Sequence, residues 1–407
     1  MKTRLLPVAA VLGSVALLSL SACTPGDGSD EPTRAATSAT AESGTVKPGT
    51  LLTKKALNAT ASLPSAAEDW RITYESENAA GEHIVVSGAV AIPKGEAPQG
   101  GWPVLSWGHG TTGYADVCAP SAQGDDGLAA DDYLDVMRTF VDHWVARGYA
   151  VARTDYEGLG TPGGHPYMNA LSAANTITDI VRAAAQVNES VGTTWVAMGH
   201  SQGGQAAVAA AQYGPGRAPE LDLRGAASVA PGGVGLSQTP AWARSAPPGS
   251  EAIQPYIPLI VLGAQAGDPS VDADAIMSKK ATDLVGFTRA GCPWGQVPAP
   301  DAIPMNELFA TDADLASLEQ YLDAQDPTNL KPQVPVLLQA GKADVEVELA
   351  GVQGMRATYC AAGAVVTYRD YEGLDHVPML VDSGPREEAF AWLDRVVHGK
   401  EIENDCV

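Results

Sequence analysis

The sequence predicts an α/β protein: a mostly parallel central sheet with helices on both faces and a helical insertion late in the chain. Three observations carry this. From about residue 68, β-rich runs alternate with longer helical stretches. A serine between glycines stands where one such run ends and a helix begins. The alternation then lapses between about 234 and 332, where the chain is Pro-rich and helical, before it resumes.

Taken in order, "DWRITYES" and "EHIVVSGAVAIP" flank a Gly-containing turn and read as an antiparallel hairpin. "WPVLSWGHG" (102–110) is an apolar strand ending in glycines. "YLDVMRTFVDHWVARG" repeats apolar residues at helical spacing, Leu134, Met137, Phe140, Val141, Trp144 and Val145, and Gly148 ends it. The strand "YAVARTDYEGLG" (149–160) precedes the helix "NALSAANTITDIVRAAAQV", and "TWVAMGHS" precedes "GGQAAVAAAQYG". "LRGAASVAPGG" (223–233) is the next strand. Within the insertion, "VDADAIMSKKATDLVGF" and "DADLASLEQYLDAQ" read as helical pieces. The pattern returns with "VPVLLQAGKAD" (334–344), a helix around 346–361, the strand "AVVTYRDYE" (364–372) and the helix "REEAFAWLDRVV".

The 407 residues, 45% of them hydrophobic, suffice for one sizeable core. A net charge of −23 argues against nucleic acid, whose phosphates demand lysine and arginine. It suits a soluble exported protein acting on neutral or cationic molecules. At the N-terminus, Lys2 and Arg4 precede the apolar run Leu5–Leu20, interrupted by Pro7 and Gly13 and followed by Ser21-Ala22-Cys23. This is an export signal over 1–22, and the cysteine after two small residues resembles a bacterial lipoprotein lipobox. Cys23 is then expected to be the lipidated first residue of a cell-surface protein; the plainer alternative is a secreted chain with a chance cysteine. Residues 24–48 are rich in Ser, Thr, Gly, Pro and Ala and read as a flexible tether from 23 to 48. The folded domain is expected over 49–407. "YIPLIVLGA" (256–264) is too short to span a membrane. Four cysteines follow the signal, Cys118, Cys292, Cys360 and Cys406; two disulfides are expected, with three pairings open, and no zinc spacing is present.

In "GHSQGG", Ser201 occupies a strand-to-helix turn, with Gly199, Gly203 and Gly204 easing the crowding there. Such a turn projects the hydroxyl from the sheet edge and aims helix N–H groups at developing negative charge. A serine nucleophile needs a base. His376, in "YEGLDHVPM" after the last strand, is on a loop at the same sheet edge. His200 is locked beside Ser201 with its ring directed elsewhere, His165 is a candidate for the pocket rim, and His83, His143 and His398 sit on the hairpin and on helices. Asp344, closing "VPVLLQAGKAD", is the expected orienting acid, with Glu346 as its rival; Asp375 adjoins His376 too closely, and Asp155 reads as structural. The Gln202 amide is one expected oxyanion donor, and the glycine loop "GHGTTG" (108–113) is expected to supply the other from Thr111 or Gly110. "GDDGLAADD" (124–132) lacks a calcium-loop pattern, and "GLGTPGG" (158–164) lacks the ending of a phosphate loop.

With Ser201, Asp344 and His376 in that order, the chain resembles an α/β-hydrolase. "WGHGTTG", "TDYEGLGTPGGHPY", "GHSQGG" and "YEGLDH" are similar to the secretory lipase family, actinobacterial relatives of the Candida lipase A type, over about residues 50 to 400. With the resemblance, the chain reads as a serine ester hydrolase on small-molecule or lipid esters with no cofactor or metal; a monomer is expected, meeting the membrane through the lipid anchor at Cys23. The resemblance implies that 234–332 caps an acyl pocket, and that Cys118 pairs with Cys292 and Cys360 with Cys406. An acyltransferase or peptidase on the same fold, or a non-catalytic ligand-binding lipoprotein, are the alternatives.

Overall fold

A nine-stranded sheet in the order β1-β2-β3-β5-β4-β6-β7-β8-β9 organises the chain. The computed structural model describes residues 47–124, 132–293 and 303–406. The export signal, Cys23, nearly all of the tether and the interior of 124–132 lie outside the described residues. β1 (Leu51–Ala56), β2 (Ala66–Glu77) and β3 (His83–Pro93) are antiparallel, and β3 pairs antiparallel with β5 (Ala150–Thr154). From β5 onward, β4 (Trp102–Gly108), β6 (Val191–His200), β7 (Asp222–Val229), β8 (Val336–Gly341) and β9 (Val366–Tyr371) run parallel.

Central strands covered on both faces must be apolar throughout. β4, β6 and β8 are accordingly buried over nearly their whole lengths. One face is covered by α2 (Ala170–Val187) and α3 (Gln202–Arg217), whose alanines pack against Trp195, Ala197 and Ala226. The other carries α1 (Asp132–Val145), whose six predicted apolar residues are all buried.

The insertion after β7 contains α4 (Thr239–Ser245), α5 (Tyr256–Gly267), α6 (Ala273–Ile276), α7 (Thr282–Ala290) and α8 (Ala316–Ala324), with a core of its own around Ile257, Leu262, Leu318 and Leu322. α9 (Leu349–Ala361), α10 (Pro378–Val381) and α11 (Ser383–Val397) complete the described fold. The run expected as one helix from 271 to 287 is broken between α6 and α7 at Met277, which bridges to Phe309 in a β-contact. Several strands end earlier than their apolar runs suggest. β5 stops at Thr154 because Tyr156 takes φ 69°, and β7 stops at Val229 because Ala230 takes φ 45°. A left-handed residue cannot continue a strand.

Disulfides join Cys118 to Cys292, tying the loop after β4 to the insertion, and Cys360 to Cys406, tying α9 to the C-terminal tail. They close loops of 174 and 46 residues. In the chain-entropy picture, each raises the unfolded state by about 4–5 kcal/mol. The C360S/C406S double variant is expected to melt well below the wild type, and an unchanged Tm by calorimetry would contradict a stabilising role.

Candidate active site

Parallel strands deliver their loops to one edge, and the register sets how those loops meet. Gly108 of β4 pairs with Gly199 of β6, and His200 with Val229 of β7. The ends of these strands are therefore level, and the loops after them, with those after β8 and β9, open on the carboxyl edge of the sheet where open α/β folds bind ligands.

Ser201 occupies the turn between β6 and α3 with φ 58°. Its N–H donates to the Val229 carbonyl, and its own carbonyl accepts from Gly204, Gln205 and Gly232. These bonds hold a left-handed serine whose conformation costs on the order of 1–3 kcal/mol. The turn closes only because its neighbours lack side chains. A Cβ on Gly203 would collide with the Gly108 carbonyl, and one on Gly199 with the Gly203 carbonyl. Tyr156, Met168 and Ala230, also at positive φ, lie in the loops following β5 and β7. Strain concentrated at one sheet edge marks a functional locus.

His376 is buried, and its Nδ1 lies 2.8 Å from Asp344 Oδ2. A carboxylate only accepts, so Nδ1 carries the proton and Nε2 keeps its lone pair. The other Asp344 oxygen accepts from the amides of Glu346 and Val347. Glu346 is placed on the opposite side of the ring: its Oε2 is 4.0 Å from Nε2 and accepts from the Tyr256 hydroxyl of α5. Asp375 is occupied by the amides of His376 and Val345. Among the described residues, no hydrogen bond joins Ser201 Oγ to His376. Catalytic hydrogen bonds often close only around substrate.

The remaining histidines divide cleanly. His200 Nε2 donates to the His376 carbonyl, and its Nδ1 accepts from Tyr133. Its ring supports the His376 ring at 4.4 Å between centroids. His165, expected at the pocket rim, is instead buried; Nδ1 donates to the Glu157 carbonyl at 2.8 Å and Nε2 accepts from Gln202 at 2.9 Å. His109 has no distinguishing mark in the sequence beyond its glycine neighbours. It is buried, bonds the Gly110 carbonyl through Nδ1, and packs on Tyr156. His83 and His398 are exposed, beside Glu75 and Asp394. Asp155 is saturated by Ser87 and by the hydroxyl and amide of Ser121, a structural anchor below the loop.

Burial lowers the pKa of His109, His165 and His200, that of His165 to about 4. These rings are neutral when folded but bind protons near pH 6.5 when unfolded. Their contribution to stability is complete above pH 6.5 and is lost as pH falls. For His165 the loss is on the order of 3 kcal/mol between pH 6.5 and 4. Urea midpoints are expected to drop steadily across that window; a flat profile would contradict the neutral assignments.

The Gln202 amide has no hydrogen-bond partner among the described residues, and neither do the amides of Gly110 and Thr111. All three are therefore free to donate. Gly110 lies against the Tyr133 hydroxyl, leaving no space for a side chain. Thr111 Oγ1 is 2.8 Å from the Tyr167 hydroxyl.

Ser201 and Gln202 line a cavity of about 410 Å³. Its walls include Tyr167 and Met168, residues Trp242, Ile253, Tyr256 and Ile260 of the insertion, and Glu346 from the loop bearing Asp344. This size suits a small organic ligand.

Sequence comparison adds a match over part of the chain. The secretory lipase family model matches residues 133–235, from α1 through the Ser201 turn to just past β7. No curated protein matches the sequence. Among solved structures, Candida antarctica lipase A aligns with a TM-score of 0.71 at 17% identity, over 89% of this chain and 85% of that one. The rice cell wall degrading esterase LipA from Xanthomonas oryzae aligns at 0.64 and 21%, over 86% and 97%. A putative hydrolase from Legionella pneumophila aligns at 0.63 and 18%, over 87% and 100%. At these identities the likeness establishes the shared α/β-hydrolase fold.

Proposed function

We propose, from the premise that this chain is a lipase/esterase-type α/β-hydrolase matched to the secretory lipase family over residues 133–235, that it is an exported serine carboxylic-ester hydrolase acting through an acyl-enzyme. The observation that carries the reading is the Asp344–His376 pair, 2.8 Å apart on loops that share a sheet edge with the strained Ser201 turn.

In this mechanism Ser201 Oγ attacks the ester carbonyl while His376 Nε2 takes its proton. Asp344 holds the imidazole tautomer and stabilises the imidazolium. The Gln202 amide, with that of Thr111 or Gly110, receives the oxyanion, each donor contributing on the order of 3 kcal/mol. His376 returns the proton to the leaving alkoxide as the carbon–oxygen bond breaks. Water, deprotonated by the same nitrogen, then attacks the acyl-enzyme and releases the acid and free Ser201. Every proton taken is returned, and no cofactor enters.

The disulfides and the family match point to export, and among the described residues no helix is long and apolar enough to cross a membrane. Lipidation at Cys23, a monomeric state and a cap formed by 234–332 belong to the same proposal. The test is a fluorophosphonate probe combined with p-nitrophenyl esters from acetate to palmitate. Labelling of folded protein at Ser201, with turnover somewhere in the series, is expected. Folded protein that neither labels nor turns over would sink the reading.

A further inference from the structure

We propose that the segment His165-Pro166-Tyr167 is one brace that sets the positions of both oxyanion donors: His165 acts through Gln202, and Tyr167 acts through Thr111. The inference rests on the reading of Gln202 and Thr111 as donors and adds positioning residues to it.

Those donors come from segments far apart in sequence, the helix start after β6 and the loop after β4. The ladder between β4 and β6 ends at Gly108 and Gly199, and among the described residues no backbone hydrogen bond joins Thr111 to Gln202. Side chains from a single short segment touch both. His165 Nε2 receives a hydrogen bond from the Gln202 side chain at 2.9 Å, and the Tyr167 hydroxyl is 2.8 Å from Thr111 Oγ1. All four residues are buried, so these bonds do not compete with water. The two rings also meet edge to face, with centroids 6.1 Å apart.

The segment is itself fixed on every side. His165 Nδ1 donates to the Glu157 carbonyl, and the Tyr167 amide donates to the His165 carbonyl at 2.7 Å. The next residue, Met168, is held at φ 64° with its carbonyl accepting from Gln205 of α3. From above, α5 of the cap rests directly on it. A Cβ on Gly263 would meet Tyr167 Cβ at 2.5 Å and its amide nitrogen at 2.6 Å, so only glycine allows this approach. Low burial of charge and high burial of hydrogen bonds make the brace rigid, as a preorganised oxyanion site requires.

The decisive measurement compares kcat, KM and the affinity of a trifluoromethyl ketone, which forms a tetrahedral adduct with Ser201, across Y167F, T111V and the double variant. Each single change removes the same hydrogen bond. We expect each to lower kcat and ketone affinity by about 10- to 100-fold, a part of what a lost donor costs, with KM little altered. The double variant is expected to be no worse than either single one. T111S, which keeps the hydroxyl, is expected to recover most of what T111V loses. H165A is expected to act through the Gln202 donor, and because its ring packs against that of Tyr167, the H165A/Y167F double variant is expected to lose less than the product of the two single losses.

Effects of Y167F and T111V that multiply would overturn the brace, as would a raised KM with unchanged kcat. Thermal melts identify variants that lose activity by unfolding, and Y167F, which keeps the ring against α5, tests the proposal if H165A does not fold. Wild-type protein that turns over no ester would overturn the underlying hydrolase reading, whereas an active wild type indifferent to these substitutions would overturn the brace alone.

Discussion

Replacing Ser201 by alanine is expected to lower kcat for a p-nitrophenyl ester by on the order of 10⁶-fold, the largest effect available in this protein. The reasoning is local. Ser201 is held at positive φ, lines the cavity, and stands at the N-terminus of α3 with an unpaired amide beside it. Alanine preserves the backbone constraints imposed by Val229 and Gly232, so the variant is expected to fold and to keep its disulfides. Fluorophosphonate labelling is expected to vanish with the activity. Because Ser201 and His376 would act as one unit, S201A/H376A is expected to be no slower than S201A alone. Stopped-flow or burst kinetics on S201A, H376A and the double variant decides the matter. Residual activity of S201A within tenfold of the wild type would require a different nucleophile.

The second large effect separates two neighbouring carboxylates. D344N is expected to lower kcat by about 10⁴-fold, the cost of losing the acceptor that selects the imidazole tautomer. E346Q is expected to cost no more than about tenfold, because a carboxylate 4.0 Å from Nε2 is on the wrong nitrogen to orient the base. The side-chain burial of the pair reinforces the contrast: Asp344 is fully enclosed, while Glu346 is 34% exposed and engaged by Tyr256. A reversed order, with E346Q the more damaging, would make Glu346 the orienting acid and would require the loop after β8 to rearrange around substrate.

Residue by residue, much of the scaffold was legible because its signals are short-range. The apolar spacing of Leu134, Met137, Phe140, Val141, Trp144 and Val145 marks a helix face, and every one of them is buried in α1. The hairpin β2–β3 announces itself by its turn. β1 does not: Leu51–Ala56 is an edge strand with five of its six residues exposed, so no alternation betrays it. α5 was equally silent. Its residues Ile257 to Ala264 are buried all round, which erases the helical periodicity and leaves only an apolar run. The strand ends at Thr154 and Val229 were overshot because left-handed Tyr156 and Ala230 are imposed by the surroundings.

Around the site, the glycines flanking Ser201 are a local pattern that points to chemistry before any coordinates, and the chain order of serine, aspartate and histidine narrows its partners. By itself, then, the sequence determined the α/β class, the elbow and its serine, and a short set of candidate partners, because periodicity and turn stereochemistry act between residues close in the chain. Only the tertiary structure decided which carboxylate faces which imidazole nitrogen, that His165 is a buried acceptor for Gln202, and that Tyr167 reaches Thr111 beneath α5. Those choices depend on distances of a few ångströms between segments brought together by sheet register and the packing of the insertion, and no spacing along the chain encodes them.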